Sequence, residues 1–208
     1  MASNMLVPSI QFDELNHTYT VNGEDMPSVT TVLADAGIIK KDNYPSGAAI
    51  KGKDIHKLIQ LFDENDLDMG GLDDEQWLHL NNWNAARLTL KLESPKHELI
   101  VFHQPYKYAG TIDVFDLPTM TLVEIKSGRK ERWHKLQLAA YKMAYECYFG
   151  EKIKVTALVY THPNVDKIML NPITEYEEDI FTSLLNVAEW KNHGKSKRKS
   201  RDTEYYGE

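Results

Sequence analysis

Between residues 106 and 126 the chain spells two short strands joined by a turn, with charged side chains placed inside both. The stretches around Thr111-Ile112-Asp113-Val114-Phe115-Asp116 and Thr121-Leu122-Val123-Glu124-Ile125-Lys126 alternate apolar and polar residues and are rich in β-branched types. Leu117-Pro118-Thr119-Met120 reads as the turn, because proline pre-sets turn geometry and cannot donate to a ladder. With those four residues as the loop, Asp116 faces Thr121, and the same register sets Asp113 opposite Glu124. Directly opposed side chains have Cβ atoms about 4.5–5.5 Å apart, and like charges there destabilise the pair. A divalent cation between them reverses the sign. Lys126 lies two residues beyond Glu124 and projects from the same sheet face. A solvent-facing strand also carries Asp, Glu and Lys. Here, however, Ile112, Val114, Leu122, Val123 and Ile125 mark central strands, where a charge needs a partner or an ion. Two carboxylates and a lysine converging there point to metal-dependent hydrolysis.

Residues 132–149 have helical periodicity, with Leu136, Ala139, Ala140, Met143 and Ala144 forming the apolar face. Gln137 and Tyr141 are four apart and stack on one side of this helix. An earlier helix over 47–62 has the stripe Ile55, Leu58, Ile59 and Phe62, with His56 on its margin.

These segments together resemble the RecB-like branch of the PD-(D/E)XK nuclease superfamily, which includes phage and mitochondrial DNA exonucleases. The matching residues are Gly52-Lys53-Asp54-Ile55-His56, Gly110-Thr111-Ile112-Asp113, Glu124-Ile125-Lys126-Ser127-Gly128 and Gln137-Leu138-Ala139-Ala140-Tyr141, in family order. The proline of the family name is missing, since Ile112 precedes Asp113, a departure common in this branch. The resemblance implies an α/β fold with a restriction-endonuclease-like core: a central mixed β-sheet flanked by helices, in the order helix–three strands–helix–strand. It implies a Mg²⁺-dependent DNA exonuclease of phage-type recombination, replication or repair, with Mn²⁺ able to substitute. Asp113 and Glu124 would hold the ion, as suits a hard cation that prefers carboxylate oxygens. His56 and the backbone carbonyl of Ile125 would complete the ligand set. Lys126 would act on the attacking water and the phosphorane, steadied by Gln137 and Tyr141. Glu98, one strand before Asp113, is a candidate additional acid. Two alternatives stay open: a structure-specific or restriction-type endonuclease on the same fold, and a noncatalytic nucleic-acid-binding module. Retention of Asp, Glu and Lys argues against the second.

Composition bounds the rest. With 208 residues, 42% hydrophobic and 26% charged, the chain can bury a sizeable core. Residues 1–194 read as a single nuclease domain and 195–208 as a basic, disordered tail. No apolar run reaches membrane-spanning length, and the N-terminus lacks a basic-then-apolar leader. Cys147 is the only cysteine. It allows no internal disulfide and no four-cysteine iron–sulfur cluster, and fits a reducing, cytoplasmic setting; a phage-infected bacterial host is what the family resemblance implies.

Before the Gln137 helix, residues 97–103, 106–116 and 121–126 read as core strands. A hairpin is expected over 12–21 and a helix over 28–36, capped by Ser28 and stopped by Gly37. A loop follows the His56 helix over 63–74, then a helix over 75–92. After the Gln137 helix come strands at 153–161 and 167–173 and a helix at 176–191. Formal net charge is −7, which disfavours broad coating of nucleic acid and leaves DNA to local basic patches. Arg129, Lys130, Arg132 and Lys135, clustered beside the Lys126 strand, are the expected DNA contacts. The run Lys195 to Arg201 is a second basic patch. An oligomer is not derivable from the sequence.

Overall fold

The structure, a computed structural model, describes residues 9–13, 18–40, 48–162 and 168–205, with side chains from 51 to 193 within those spans from residue 48 onward. An N-terminal sheet is built from β1 (Ile10–Asp13), β2 (Thr18–Val21) and β3 (Glu24–Met26), all antiparallel. The expected hairpin is its first two strands. The third was not foreseen, although Asn22-Gly23 signals it: both residues have positive φ, 52° and 82°, as a two-residue hairpin turn requires. Then α1 (Val29–Ala36) starts where the Ser28 hydroxyl accepts the Thr31 N–H at 3.0 Å, and ends at left-handed Gly37.

Helices α2 (Ala48–Asp63) and α3 (Asp74–Leu90) follow, separated by a short 3₁₀ turn at Met69–Gly71. A reciprocal capping box between Asp73 and Gln76 starts α3. The central sheet then forms from β4 (Pro95–His103), β5 (Tyr108–Asp116) and β6 (Thr121–Lys126), with α4 (Trp133–Phe149) crossing over to β7 (Val155–Tyr160). β8 (Ile168–Leu170) and α5 (Glu175–Tyr205) complete the chain. Strand order is β4-β5-β6-β7-β8, antiparallel except for the β6–β7 pair. That parallel pair needs the α4 crossover, because a tight turn cannot join parallel strands. α5 runs on to Tyr205, through the basic segment expected to be an irregular tail.

The sheet is covered on both faces, which is why its inner strands are almost wholly buried. Phe115 and Leu122, paired across β5 and β6, enter the layer shared with α1, α4 and α5. Their neighbours Val114 and Val123 enter the opposite layer, against Ile55, Leu58 and Ile59 of α2 and Leu80 and Trp83 of α3. The alternation of strand side chains thus distributes one hairpin between two cores. No described helix is long and apolar enough to cross a membrane.

Candidate active site

The β5–β6 hairpin has the register its sequence predicts: Asp116 pairs with Thr121, Phe115 with Leu122 and Val114 with Val123. The ladder stops one step before Asp113 and Glu124. There the Asp113 carboxylate accepts the Ile125 N–H at 2.7 Å, so a side chain holds the strands together where backbone pairing gives way. Ile125 itself is buried in the core, 1% exposed.

Lys126 links this pair to α4. Its ammonium donates to Glu124 Oε1 at 2.7 Å and to Gln137 Oε1 at 2.8 Å, and the Gln137 amide donates to the Tyr141 hydroxyl at 3.0 Å. The four-residue spacing of Gln137 and Tyr141 places both over the end of β6. Tyr141 lies against β5 only because residue 110 is glycine: a Cβ there would come within 2.4 Å of the Tyr141 ring. Gly110 therefore serves close approach of α4, a role visible in the motif only once the helix is in place.

On the other side, α2 delivers His56, whose Nδ1 lies 3.4 Å from Asp113 Oδ1. Glu98 of β4 joins them: ligand atoms of His56, Glu98 and Asp113 all lie within 4.8 Å of one another. Glu98 has φ of +57° and is skipped in the β4–β5 ladder, between the pairs His97–Val114 and Leu99–Ile112. A left-handed glutamate inside a strand costs about 1–3 kcal/mol and persists only where its surroundings impose it. Its neighbour His97 is held by Asp63 at 2.9 Å, and Asp63, the last residue of α2, also accepts from Trp83 and Arg87. One buried carboxylate thereby fastens the helix carrying His56 to the strand carrying Glu98.

Burial dominates the electrostatics of the site, and the neighbouring acids add to it. Burial, then the charge of Asp113, pushes Glu124 up to about 8 despite its bond to Lys126. Burial would lower His56, but the charge and hydrogen bond of Asp113 prevail and raise it to about 9. Asp113 is held below the usual carboxylate range, because His56, Lys126 and the Ile125 amide outweigh its burial. Burial, then Asp113, raises Glu98. Glu124 Oε2 is a buried oxygen with no hydrogen-bond partner. Such a group in a native protein calls for an explanation, and a bound ion or water is one. The donor set of carboxylate oxygens and one imidazole suits a divalent cation.

His56, Glu98, Asp113, Glu124, Lys126, Gln137 and Tyr141 thus meet in one cleft of about 700 Å³. Arg129, Lys130, Arg132 and Lys135 do not line it. Lys130 lies over the Tyr160 ring, 5.5 Å from its centroid, and Lys135 faces Glu177 of α5 at 3.8 Å. The cleft's lysines besides Lys126 are instead Lys53 and Lys57, with Asp54 beside them, and Phe12 and Tyr19 also line it. Sequence reading missed these two lysines and two aromatic residues. For the lysines a signal existed, since 53, 56, 57 and 60 share one helix face; for Phe12 and Tyr19 there was none, because nothing local places the N-terminal sheet beside β5.

Neither a protein-family model nor a curated protein matches the sequence. Among solved structures, the chain is similar to a "putative exonuclease" from Eubacterium rectale, with a TM-score of 0.50 and 13% identity over 81% of this chain and 82% of that one. A second similarity, to SSO0001, has a TM-score of 0.35 and 16% identity over 79% and 82% of the two chains. The first likeness, with the five-stranded mixed sheet flanked by helices, defines a nuclease-like α/β fold.

Proposed function

We propose that this protein is a metal-dependent nuclease that hydrolyses phosphodiester bonds in DNA, working from strand ends. The observation that carries the reading is the orphaned Glu124 Oε2, buried beside Asp113 and bonded through its other oxygen to Lys126. Asp113 and Glu124, with His56, Glu98 and the Ile125 carbonyl, are the groups proposed to hold Mg²⁺, with Mn²⁺ as substitute. Such an ion supplies Lewis-acid polarisation of the phosphate ester. Lys126 holds an ammonium where negative charge develops on the phosphorane, and can orient the attacking water. Gln137, fixed by Tyr141, keeps the lysine from collapsing wholly onto Glu124. His97 and Asp63 hold α2 and β4 so that their ligands converge.

An exonuclease of recombination, replication or repair accords with the similarity to a protein described as an exonuclease and with the motif order. The one cysteine, exposed and unpaired, accords with a reducing intracellular setting. Purified protein incubated with end-labelled linear DNA and with covalently closed circular DNA, with Mg²⁺ or with chelator, tests the proposal. Linear DNA should be degraded from its ends in Mg²⁺ only, with circles spared. Cleavage of circles would replace this reading by an endonuclease, and inertness toward every substrate in Mg²⁺ and Mn²⁺ by a noncatalytic module.

A further inference from the structure

We propose that Trp133, the first residue of α4, is a positioning residue for the reaction, its indole face holding the Lys126 ammonium in place between Glu124 and Gln137. This rests on the nuclease reading and adds a residue to the machinery of that same site.

The backbone of Lys126 is held independently of its side chain. The residue pairs with Tyr160 of the parallel strand β7, and its carbonyl accepts the Thr161 N–H at 2.9 Å. The four-carbon stem beyond that backbone is flexible. Its end is restrained by hydrogen bonds to Glu124 at 2.7 Å and Gln137 at 2.8 Å. The same ammonium lies over the Trp133 ring, 5.3 Å from its centroid. That is inside the roughly 6 Å at which the face of an indole attracts a cation. A carboxylate, an amide oxygen and a ring thus surround one charge.

The ring is where helical spacing puts it. Trp133, Gln137 and Tyr141 are four apart and stand in one row along α4. The lower two are joined by the bond from the Gln137 amide to the Tyr141 hydroxyl, and Trp133 is half-buried against the core shared with α1 and α5. A helix N-terminus carries partial positive charge, which opposes an ammonium beside the first turns, and the indole face offsets it. His134 meets the Trp133 ring nearly at right angles, with centroids 4.3 Å apart. Burial, then the charge of Lys126, brings His134 down to about 3, so its imidazole adds no positive charge.

The chemistry of the ring suits the task. A further carboxylate in that place would neutralise the ammonium and compete for a divalent ion. An indole face attracts the cation, takes no proton from it and ligates no such ion. The charge of Lys126 therefore stays available to a phosphorane. Lys126, Gln137 and Tyr141 line the cleft and Trp133 does not, so its effect reaches the substrate only through the lysine. Turnover should depend on it and substrate binding should not.

Steady-state kinetics on end-labelled linear DNA in Mg²⁺, beside proton NMR of the metal-free full chain, decides this. Trp133→Leu, which keeps an apolar side chain and removes the ring, should lower kcat about tenfold. KM should stay within about twofold, as a purely transition-state effect requires. Trp133→Phe should recover most of the turnover, whereas a packing role would be served by leucine and would follow urea stability instead. The Lys126 ε-methylene protons, assigned by their loss in Lys126→Ala, should lie upfield of the other lysines through the ring current of Trp133, and return in Trp133→Leu. Those protons at the ordinary position in the unsubstituted chain overturn the proposal, even if the leucine variant does not fold. So does full turnover by Trp133→Leu, and in either case cleavage by the unsubstituted chain leaves the nuclease reading standing. An unsubstituted chain inert toward DNA in both Mg²⁺ and Mn²⁺ removes that reading, and the role of Trp133 with it.

Discussion

Two pairs of buried acids in this protein have opposite fates. Asp116 and Asp63 are surrounded by donors. Asp116 accepts from the Glu93 and Ser94 amides at 3.0 and 2.6 Å, and from the Thr119 amide and hydroxyl at 3.2 and 2.6 Å. Asp63 accepts from Trp83, Arg87 and His97. Asp113 and Glu124 lie in the same sheet as Asp116, yet Asp113 faces Glu98 and His56, and one Glu124 oxygen has no hydrogen-bond partner. Burying a charge is tolerable when protein donors satisfy it. Where donors suffice, the acid builds the fold; where they fall short, the proposed function supplies an ion.

The sharpest break between the two kinds is activity against stability. Asp113→Asn and Lys126→Ala should each lower kcat by about 10³-fold or more, since both groups act on the transition state. Lys126→Ala should leave DNA affinity within a few-fold. Asp116→Ala should instead cost about 3 kcal/mol of stability, because the buried carboxylate loses its hydrogen bonds from Glu93, Ser94 and Thr119, with the folded fraction retaining its turnover. Steady-state kinetics beside urea unfolding separates the outcomes. An Asp113→Asn protein with near-full turnover would merge the two classes and remove the contrast.

How much of this contrast was legible beforehand depends on the range of the interactions. The β5–β6 register followed from local alternation and Pro118, and the pairing of Asp116 with Thr121 agrees. Ser28 and Gly37 marked α1 because caps are local chemistry. The alignment of Gln137 with Tyr141 followed from helical spacing. Sequence could not show that Asp116 is satisfied while Glu124 is not, since Asp116's donors come partly from residues 93 and 94. Nor could it show the left-handed Glu98, because glutamate carries no preference for that conformation and the strand around it reads as regular. The basic cluster at 129–135 lies near Lys126 in sequence but does not line the cleft, which draws its other lysines from α2.

Proton linkage provides a second contrast. Glu124 and His56 are raised to about 8 and about 9 in the metal-free protein, so the folded state holds protons that the unfolded chain releases. Their stabilising effect is complete below the ordinary values, 4.5 and 6.5. It is lost as pH rises through about 8 and then 9. Asp113 acts in the opposite sense, its contribution lost only as pH falls below its ordinary range. Metal-free protein should therefore lose stability steadily between pH 5 and 9, about the range these values set. Saturating Mg²⁺ should flatten that decline and release protons on binding near pH 7. Unfolding midpoints across pH, with Mg²⁺ and with chelator, measure it. A metal-free profile without slope would contradict the raised Glu124 and His56.

The smallest expected effect concerns Glu98. Glu98→Gly relieves the positive φ of +57°, which should raise stability by up to about 1 kcal/mol. It should also lower Mn²⁺ affinity at least tenfold by calorimetric titration. Lower stability with unchanged metal affinity would make Glu98 a strand residue and reduce the site to His56, Asp113 and Glu124.

The central claim, that Asp113 and the incompletely satisfied Glu124 share one divalent cation, is tested most directly by anomalous diffraction from crystals grown with Mn²⁺. The account predicts a manganese peak shared by the Asp113 and Glu124 carboxylates, with His56 and Glu98 around it, and no peak at Asp63 or Asp116. Carboxylates of Asp113 and Glu124 that bind no common ion, at Mn²⁺ concentrations that saturate the protein in solution, would contradict it.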